Sequence, residues 1–384
     1  MIYFTIKQPP KYKQISLEDL LFGRDIRPVI MNKNMANTRT FELDKPMEKM
    51  LSLFDFASLL NKLIEFNNKY EFLRNKERKQ LYSSFHIPKR KGGLRRIDAP
   101  NDELKDALNE LKTIFEEDFG ALYHTGAFAY IKNRSTVDAA KRHQVNESKW
   151  FGKLDLSDFF GSTTIEFVLN QLSMIFPFSE LMKTQTGQNE IRTALDLAFL
   201  NGGLPQGTPF SPLITNIIMI PIDFRLTKAL RQFNKQSFVY TRYADDFIIS
   251  SKFDFNIEEI EKLISKTLNE FNAPFSIKKE KTRYGSSAGS NWILGVMLNK
   301  DNEITIGHKK KKHFQTILSN YILDKLNGKT WKLEDIQVME GYRSYYRMIE
   351  GETIDRIIDH MNKKFNVNVV SMIKADLRTC SSLA

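Results

Sequence analysis

Three aspartates are the residues best placed to do chemistry. Asp245 and Asp246 sit side by side in Tyr243-Ala244-Asp245-Asp246, with Phe238, Val239 and Tyr240 before them and Phe247, Ile248 and Ile249 after. Such a run reads as a buried strand pair with the acids at its bend. Asp155 lies upstream between Leu154 and Leu156, on a predicted strand of its own. Burying like charges side by side is costly unless something positive neutralises them, and a divalent cation is the usual neutraliser. An isolated acid pair at a turn is ordinarily just solvated, and a lone strand aspartate is as often a cap or an ion-pair partner. The combination says more. An acid on one buried strand and a pair on a hairpin can meet on adjacent strands of one sheet. Three carboxylates there can hold two Mg²⁺ ions, which at about 3.5–4 Å apart stabilise the attacking and leaving oxygens of an in-line phosphoryl displacement.

The elements that must position these acids follow from periodicity and punctuation. Residues 1–50 are mixed and polar, with Pro9-Pro10 and an Asn-rich patch, and read as an N-terminal extension. Leu51 to Leu81 carries Phe56, Leu59, Leu60, Leu63 and Phe66 at helical spacing. Ile87 to Pro100 reads as two short strands studded with cations about a Gly92-Gly93 turn. A helix is predicted from Asp102 to about Phe119, and Lys132-Asn133-Arg134-Ser135 is a loop before another. Trp150 to Phe160 reads as the strand of Asp155, and Thr164 to Ile175 as a helix. After the Gly202 to Thr208 loop, Ser211 is expected to cap a helix with Pro212 at its first position, running to about Leu230. Beyond the acid hairpin come a helix from Ile257 to Phe271, a strand from Asn291 to Leu298 and another near Glu303 to Ile306. From His308 the chain reads as helical and basic to its end.

Composition narrows the class. With 384 residues and 41% hydrophobic content, the chain can bury a sizeable core in several subdomains. Lys and Arg total 57 against 46 Asp and Glu, and the net charge of +11 fits a polyanionic partner. Cys380 is the only cysteine, which excludes an intrachain disulfide framework and a cysteine zinc site and fits a reducing compartment. The six histidines are scattered, and His308 and His313 flank a lysine run. The apolar stretch at the start is too short for a signal peptide, and no window approaches the length of a membrane span. A cytoplasmic protein with no membrane partner is expected.

Leu154-Asp155-Leu156-Ser157-Asp158-Phe159-Phe160 resembles the first acidic motif of reverse transcriptases. Gly203-Leu204-Pro205-Gln206-Gly207-Thr208-Pro209-Phe210-Ser211-Pro212 resembles their second motif, and Tyr243-Ala244-Asp245-Asp246 their YxDD box. Order and spacing agree, and the resemblance runs from about Phe85 to about Asp359. It implies an α+β right-hand polymerase: fingers, a palm with an antiparallel sheet backed by helices, and a helical thumb. The corresponding divisions are 51–150 for the fingers, 151–307 for the palm and 308–384 for the thumb. Asp155 and Asp245 carry over as metal ligands, with Asp246 as a third, less direct acid, for two Mg²⁺ ions with Mn²⁺ as a possible substitute. Phe160 falls at the steric gate that disfavours a ribose 2′-OH. Asp158 and Gln206 fall beside the incoming nucleotide. The basic hairpin resembles the fingers motif, so Lys89, Arg95 and, as a third candidate, Lys91 would hold the triphosphate; Arg pairs well with phosphate oxygens as pyrophosphate departs. Lys281 in Lys278-Lys279-Glu280-Lys281-Thr282 matches a lysine thought to protonate that pyrophosphate. Trp292-Ile293-Leu294-Gly295 resembles the primer grip, with Leu294 and Gly295 at the primer end.

Lys309-Lys310-Lys311-Lys312, followed by Phe314, Ile317, Leu318, Tyr321 and Ile322, suggests a basic helical edge tracking a phosphate backbone. Aromatics and arginines in Gly341 to Arg347 could grip nucleic acid or pack in a core. Little chain follows for an RNase H domain, and there is no Cys/His cluster for an intron-type endonuclease. Ala139-Ala140-Lys141-Arg142-His143 lacks the Asn of the retron Asn-Ala-x-x-His motif, and Ile293-Leu294-Gly295 stands where retrons often carry Val-Thr-Gly. The motifs resemble most those of the retron and group II intron-like clade, whereas these two departures point away from a strict retron enzyme and toward the wider group of bacterial defence-associated reverse transcriptases. The expected partners are a structured non-coding RNA template, a DNA primer or product, and dNTPs, with room for a partner protein or a homo-oligomer. The rival readings are a non-catalytic, maturase-like RNA-binding protein on a polymerase scaffold, or a template-independent or protein-primed DNA polymerase.

Overall fold

A computed structural model describes residues 56–89, 92–117, 123–233, 237–287, 292–293 and 295–381. The N-terminal extension read over 1–50, Lys91 and Leu294 lie outside the described residues. Helix α1 (Phe56–Lys69) buries Leu59, Leu63 and Phe66, one stripe at helical spacing. Strands β1 (Tyr82–Pro88) and β2 (Leu94–Pro100) pair antiparallel as the basic hairpin. Its turn carries φ of 89° at Gly92 and 81° at Gly93, conformations that suit residues without a Cβ. Asn101 caps α2 (Asp102–Glu116) by accepting from Leu104 N at 2.9 Å. A Ser135/Asp138 capping box starts α3 (Thr136–Val145).

The central sheet has the order β4-β5-β3-β6, antiparallel throughout. It is built from β3 (Trp150–Asp155), and, after α4 (Ile165–Leu172), α5 (Gln185–Asp196), α6 (Ser211–Ile218) and α7 (Ile220–Gln232), from β4 (Phe238–Tyr243) and β5 (Asp246–Ser251). Helix α8 (Ile257–Glu270) then leads to β6 (Arg283–Ser286). Side chains of a strand alternate faces. Phe247 and Ile249 accordingly enter the main core with Ile217, Leu226, Ile260 and Ile264 of the backing helices, while Ile248 packs on the other face with Ala140, Phe151, Val296 and Leu298. Both faces are covered, which is why the run around the acids is continuously apolar.

A small sheet of β7 (Trp292–Ile293), β8 (Val296–Leu298) and β9 (Ile304–Thr305) leads into three helices, α9 (His308–Leu326), α10 (Leu333–Phe365) and α11 (Val369–Ser381). These gather a second core around Phe314, Leu318, Tyr321, Met339, Ile354 and Ile373. Helix α10 bends at Glu350, whose φ and ψ of −135° and 61° leave the helical region.

Several sequence expectations need correction. The strand of Asp155 stops at Asp155 and does not reach Phe160, because the chain turns there and Asp158 takes a positive φ of 42°. Ser211 is the first helical residue and not the cap; the N-cap is Phe210, which makes no side-chain capping bond, and Ser211 N donates instead to the Thr208 hydroxyl at 3.3 Å. One long helix to Leu230 is instead α6 and α7, broken at Met219, because Pro221 lacks an N–H and would clash with the preceding turn. The strand expected over Asn291 to Leu298 is a hairpin, turning where Gly295 has φ +92°.

Candidate active site

Pairing of β3 with β5 sets Asp155 opposite Asp246. Asp245 occupies the turn joining β4 to β5, and its carbonyl accepts from Leu156 N at 3.1 Å. The backbone register therefore places the three acids at one end of the sheet. Ala244, the first central residue of that turn, has φ +55°, where glycine is the ordinary choice. A buried ion pair over-determines the conformation. Arg242 and Asp223 are both closed to solvent, with Nη2 to Oδ2 at 2.8 Å. Arg242 Nη1 also donates to Asn216 Oδ1 at 3.0 Å and to the Ala244 carbonyl at 3.3 Å, and Tyr240 donates its hydroxyl to Asp223 at 2.7 Å.

Lysines surround the acids. Lys281 Nζ donates to both oxygens of Asp155, at 2.9 and 3.1 Å, and Lys278 Nζ lies 3.9 Å from Oδ1. Lys153 Nζ donates to Asp246 Oδ2 at 2.8 Å. The hydrogen bond to Asp155 chiefly holds Lys281 above the usual lysine range. Asp245 is pushed above the usual carboxylate range, first by burial and then by the charges of Asp246 and Asp155. Lys281 reaches its partner because residues 276–281 run back along the end of β3: Ser157 N donates to Ser276 O and Lys278 N to Asp155 O, each at 2.8 Å. Among the described residues no three His, Cys, Asp or Glu side chains are gathered into a metal-binding group; the lysines take the Asp155 and Asp246 oxygens instead.

The second motif is stitched between the acids and the basic hairpin. Leu204 N donates to Phe160 O at 3.0 Å, and Asp98 N of β2 donates to Gln206 O at 2.8 Å. A Cβ on Gly203 would fall 2.1 Å from Gly161 O, so only glycine allows this approach. Phe160 is half-buried against Phe159, with ring centroids 5.7 Å apart, and Asp158 is exposed. Lys89 and Arg95 are exposed on the hairpin. Of the lysine run, Lys309 and Lys312 are exposed, whereas Lys310 donates to the Gly295 carbonyl at 2.5 Å and Lys311 pairs with Glu350 at 2.6 Å.

Sequence reasoning missed Lys153, Arg242 and Asp223. Lys153 stands two residues before Asp155, hence on the same face of the strand, and that spacing could have flagged it.

A family profile described as "Reverse transcriptase (RNA-dependent DNA polymerase)" matches residues 87–321. The chain belongs to the reverse transcriptase family. This reverse transcriptase is 30% identical to the retron Ec73 reverse transcriptase of Escherichia coli over 277 residues, 69% of this chain and 82% of that one. It is 27% identical to the retron Ec83 reverse transcriptase of the same species over 306 residues, 76% and 89% of the two chains. Among solved structures it is similar to a telomerase from Candida albicans, at 12% identity and a TM-score of 0.46, covering 77% of this chain and 65% of that one. The enzyme is an RNA-directed DNA polymerase of the bacterial retron type with a right-hand polymerase fold. An RNA template and a DNA product go with that activity. No helix among the described residues is long and apolar enough to cross a membrane.

Proposed function

We propose that this reverse transcriptase extends a primer with deoxynucleotides by two-metal phosphoryl transfer, copying a dedicated structured non-coding RNA in cytoplasmic antiphage defence. The observation that carries the chemistry is the register of β3 with β5, which sets Asp155 opposite Asp246 beside Asp245. The donor set fits Mg²⁺, or Mn²⁺ in its place: these are hard carboxylate oxygens, and Asp245 is penalised first by burial and then by the charges of Asp246 and Asp155, a penalty that a cation would relieve. Bound there, two such cations would lower the pKa of the primer 3′-OH and neutralise charge on the triphosphate.

The remaining tasks fall to the chain's own residues. Lys89 and Arg95, with Lys91, hold triphosphate oxygens from the hairpin side. Lys281 keeps a proton at Nζ and is the donor to the departing pyrophosphate. Phe160 excludes a ribose 2′-OH, and Asp158 and Gln206 line the nucleotide position. Leu294 and Gly295 hold the primer end. The two outward lysines, Lys309 and Lys312, track the duplex backbone as the edge of a thumb spanning 308–384, after fingers over 51–150 and a palm over 151–307.

The test is to purify the protein with the RNA it carries, add Mg²⁺ and labelled dNTPs, and sequence the product, with Asp245→Asn as control. DNA copied from a bound RNA and absent from the control is the expected result. An Asp245→Asn variant with full activity would overturn the assignment of the acids.

A further inference from the structure

Tyr130 belongs to none of the motifs that define the site. It is half-exposed at 50%, and its φ of +57° is a backbone state that bulky residues seldom hold. Such strain persists only where the surroundings over-determine it, and here they do. Residue 127 bridges in parallel to Arg242, with Phe128 N donating to Arg242 O at 2.9 Å and Arg242 N to Gly126 O at 2.7 Å. Asn216 donates through Nδ2 to the Ala129 carbonyl while accepting from Arg242 Nη1. Arg134 Nη1 donates to the carbonyls of Ala127 and His124, both at 2.7 Å. The same buried arginine that fixes the Ala244 turn thus fixes the loop carrying Tyr130.

The place where this loop is held matters. The Tyr130 ring lies 6.3 Å from the ring of Tyr243, tilted by 43°, immediately beside the acid pair. Its hydroxyl is held above the ordinary tyrosine range, first by partial burial and then by the nearby charge of Asp245; Arg95 of the basic hairpin acts in the opposite sense. Tyr130 therefore lies beside Tyr243 and within reach of the charges of both Asp245 and Arg95. Half of its surface is open to solvent, and an exposed aromatic ring is a group on which nucleobases stack without regard to sequence.

Resting on the polymerase reading above, we infer that Tyr130 and Tyr243 form a two-ring platform for the terminal base pair of the primer–template duplex, with Tyr130 contributing by its ring and not its hydroxyl. The contact is sequence-tolerant and is set in register with the acids through Arg242 and Asn216.

The experiment measures binding of a fluorescein-labelled DNA primer annealed to an RNA template by anisotropy, with an intact or an abasic terminal pair. The proteins are wild type, Tyr130→Ala, Tyr130→Phe and Asp245→Asn, each with a thermal melt. Tyr130→Ala should weaken binding of the intact duplex roughly tenfold and leave the abasic duplex unchanged, while Tyr130→Phe stays within about twofold of wild type. Equal weakening on both duplexes, no weakening on either, or a Tyr130→Phe defect as large as that of Tyr130→Ala overturns the inference. Wild type that extends the primer, beside an Asp245→Asn variant that binds but does not extend, keeps the polymerase reading intact in each of those cases. Wild type that neither binds nor extends any duplex removes both.

Discussion

Asp245 is the acid with the least compensation: Lys281 serves Asp155 and Lys153 serves Asp246, while Asp245 is buried beside both their charges. Asp245→Asn is therefore expected to lower kcat on the order of 10³-fold or more without lowering the melting temperature, because the substitution relieves a charge the fold tolerates poorly. Steady-state extension assays paired with thermal melts check both halves. At Phe160, replacement by Ala should raise rNTP incorporation relative to dNTP, read as the ratio of kcat/KM for the two; an unchanged ratio would remove the steric-gate role. The acids were legible in the sequence because aspartates inside apolar runs are rare and come in a recognisable order. Lys153 was not, since a strand lysine looks like a solvated one until Asp246 is set beside it. Arg242 and Asp223 were hidden for a related reason: they are 19 residues apart on a strand and a helix, and nothing local announces that they meet.

At the scale of elements, the acid hairpin stands on that ion pair. Arg242→Met would strand Asp223 without its partner in a closed site and should cost about 3–5 kcal/mol, whereas Arg242→Met with Asp223→Leu should recover much of the loss. Urea unfolding of the three proteins distinguishes these outcomes. Behind the same sheet, His143 is fully buried, its ring nitrogens 2.6 Å from Ser250 Oγ and 2.8 Å from Thr241 Oγ1. Burial holds its pKa down to about 3, against 6.5 for a free histidine. Between those values the unfolded chain binds a proton that the folded one refuses, so stability falls as pH drops through that window and is unaffected above it. From pH 7 to 5 the loss should be about 2 kcal/mol, and a His143→Gln variant should show a correspondingly shallower dependence. Periodicity found most helices and strands because packing follows it. It failed where a single residue overrules its neighbours: Pro221 breaks a helix whose apolar pattern continues, and Gly295 folds a strand back on itself.

Across the whole molecule the net charge of +11 implies salt-sensitive binding to nucleic acid, but the cations are not interchangeable. Replacing the exposed Lys309 and Lys312 together by Gln should reduce the slope of log Kd against log salt by about 1.4–1.8, since each phosphate contact contributes about 0.7–0.9. Lys311→Gln should leave that slope nearly unchanged and lower the melting temperature instead, because its ammonium is committed to Glu350. A lysine run in sequence gives no hint of this division, which depends on how α9 is rotated against its neighbours. Glu350 itself joins two rods of a 33-residue helix, and its carboxylate also accepts from Ile306 N at 2.7 Å and Thr305 Oγ1 at 3.0 Å. That single residue is an elbow whose tendons attach on the near side, one position from the lysine that grasps the Gly295 carbonyl. A change of angle between the two rods cannot be absorbed locally: it must pull on the junction of β9 with α9 and, through the neighbouring lysine, on the Gly295 turn.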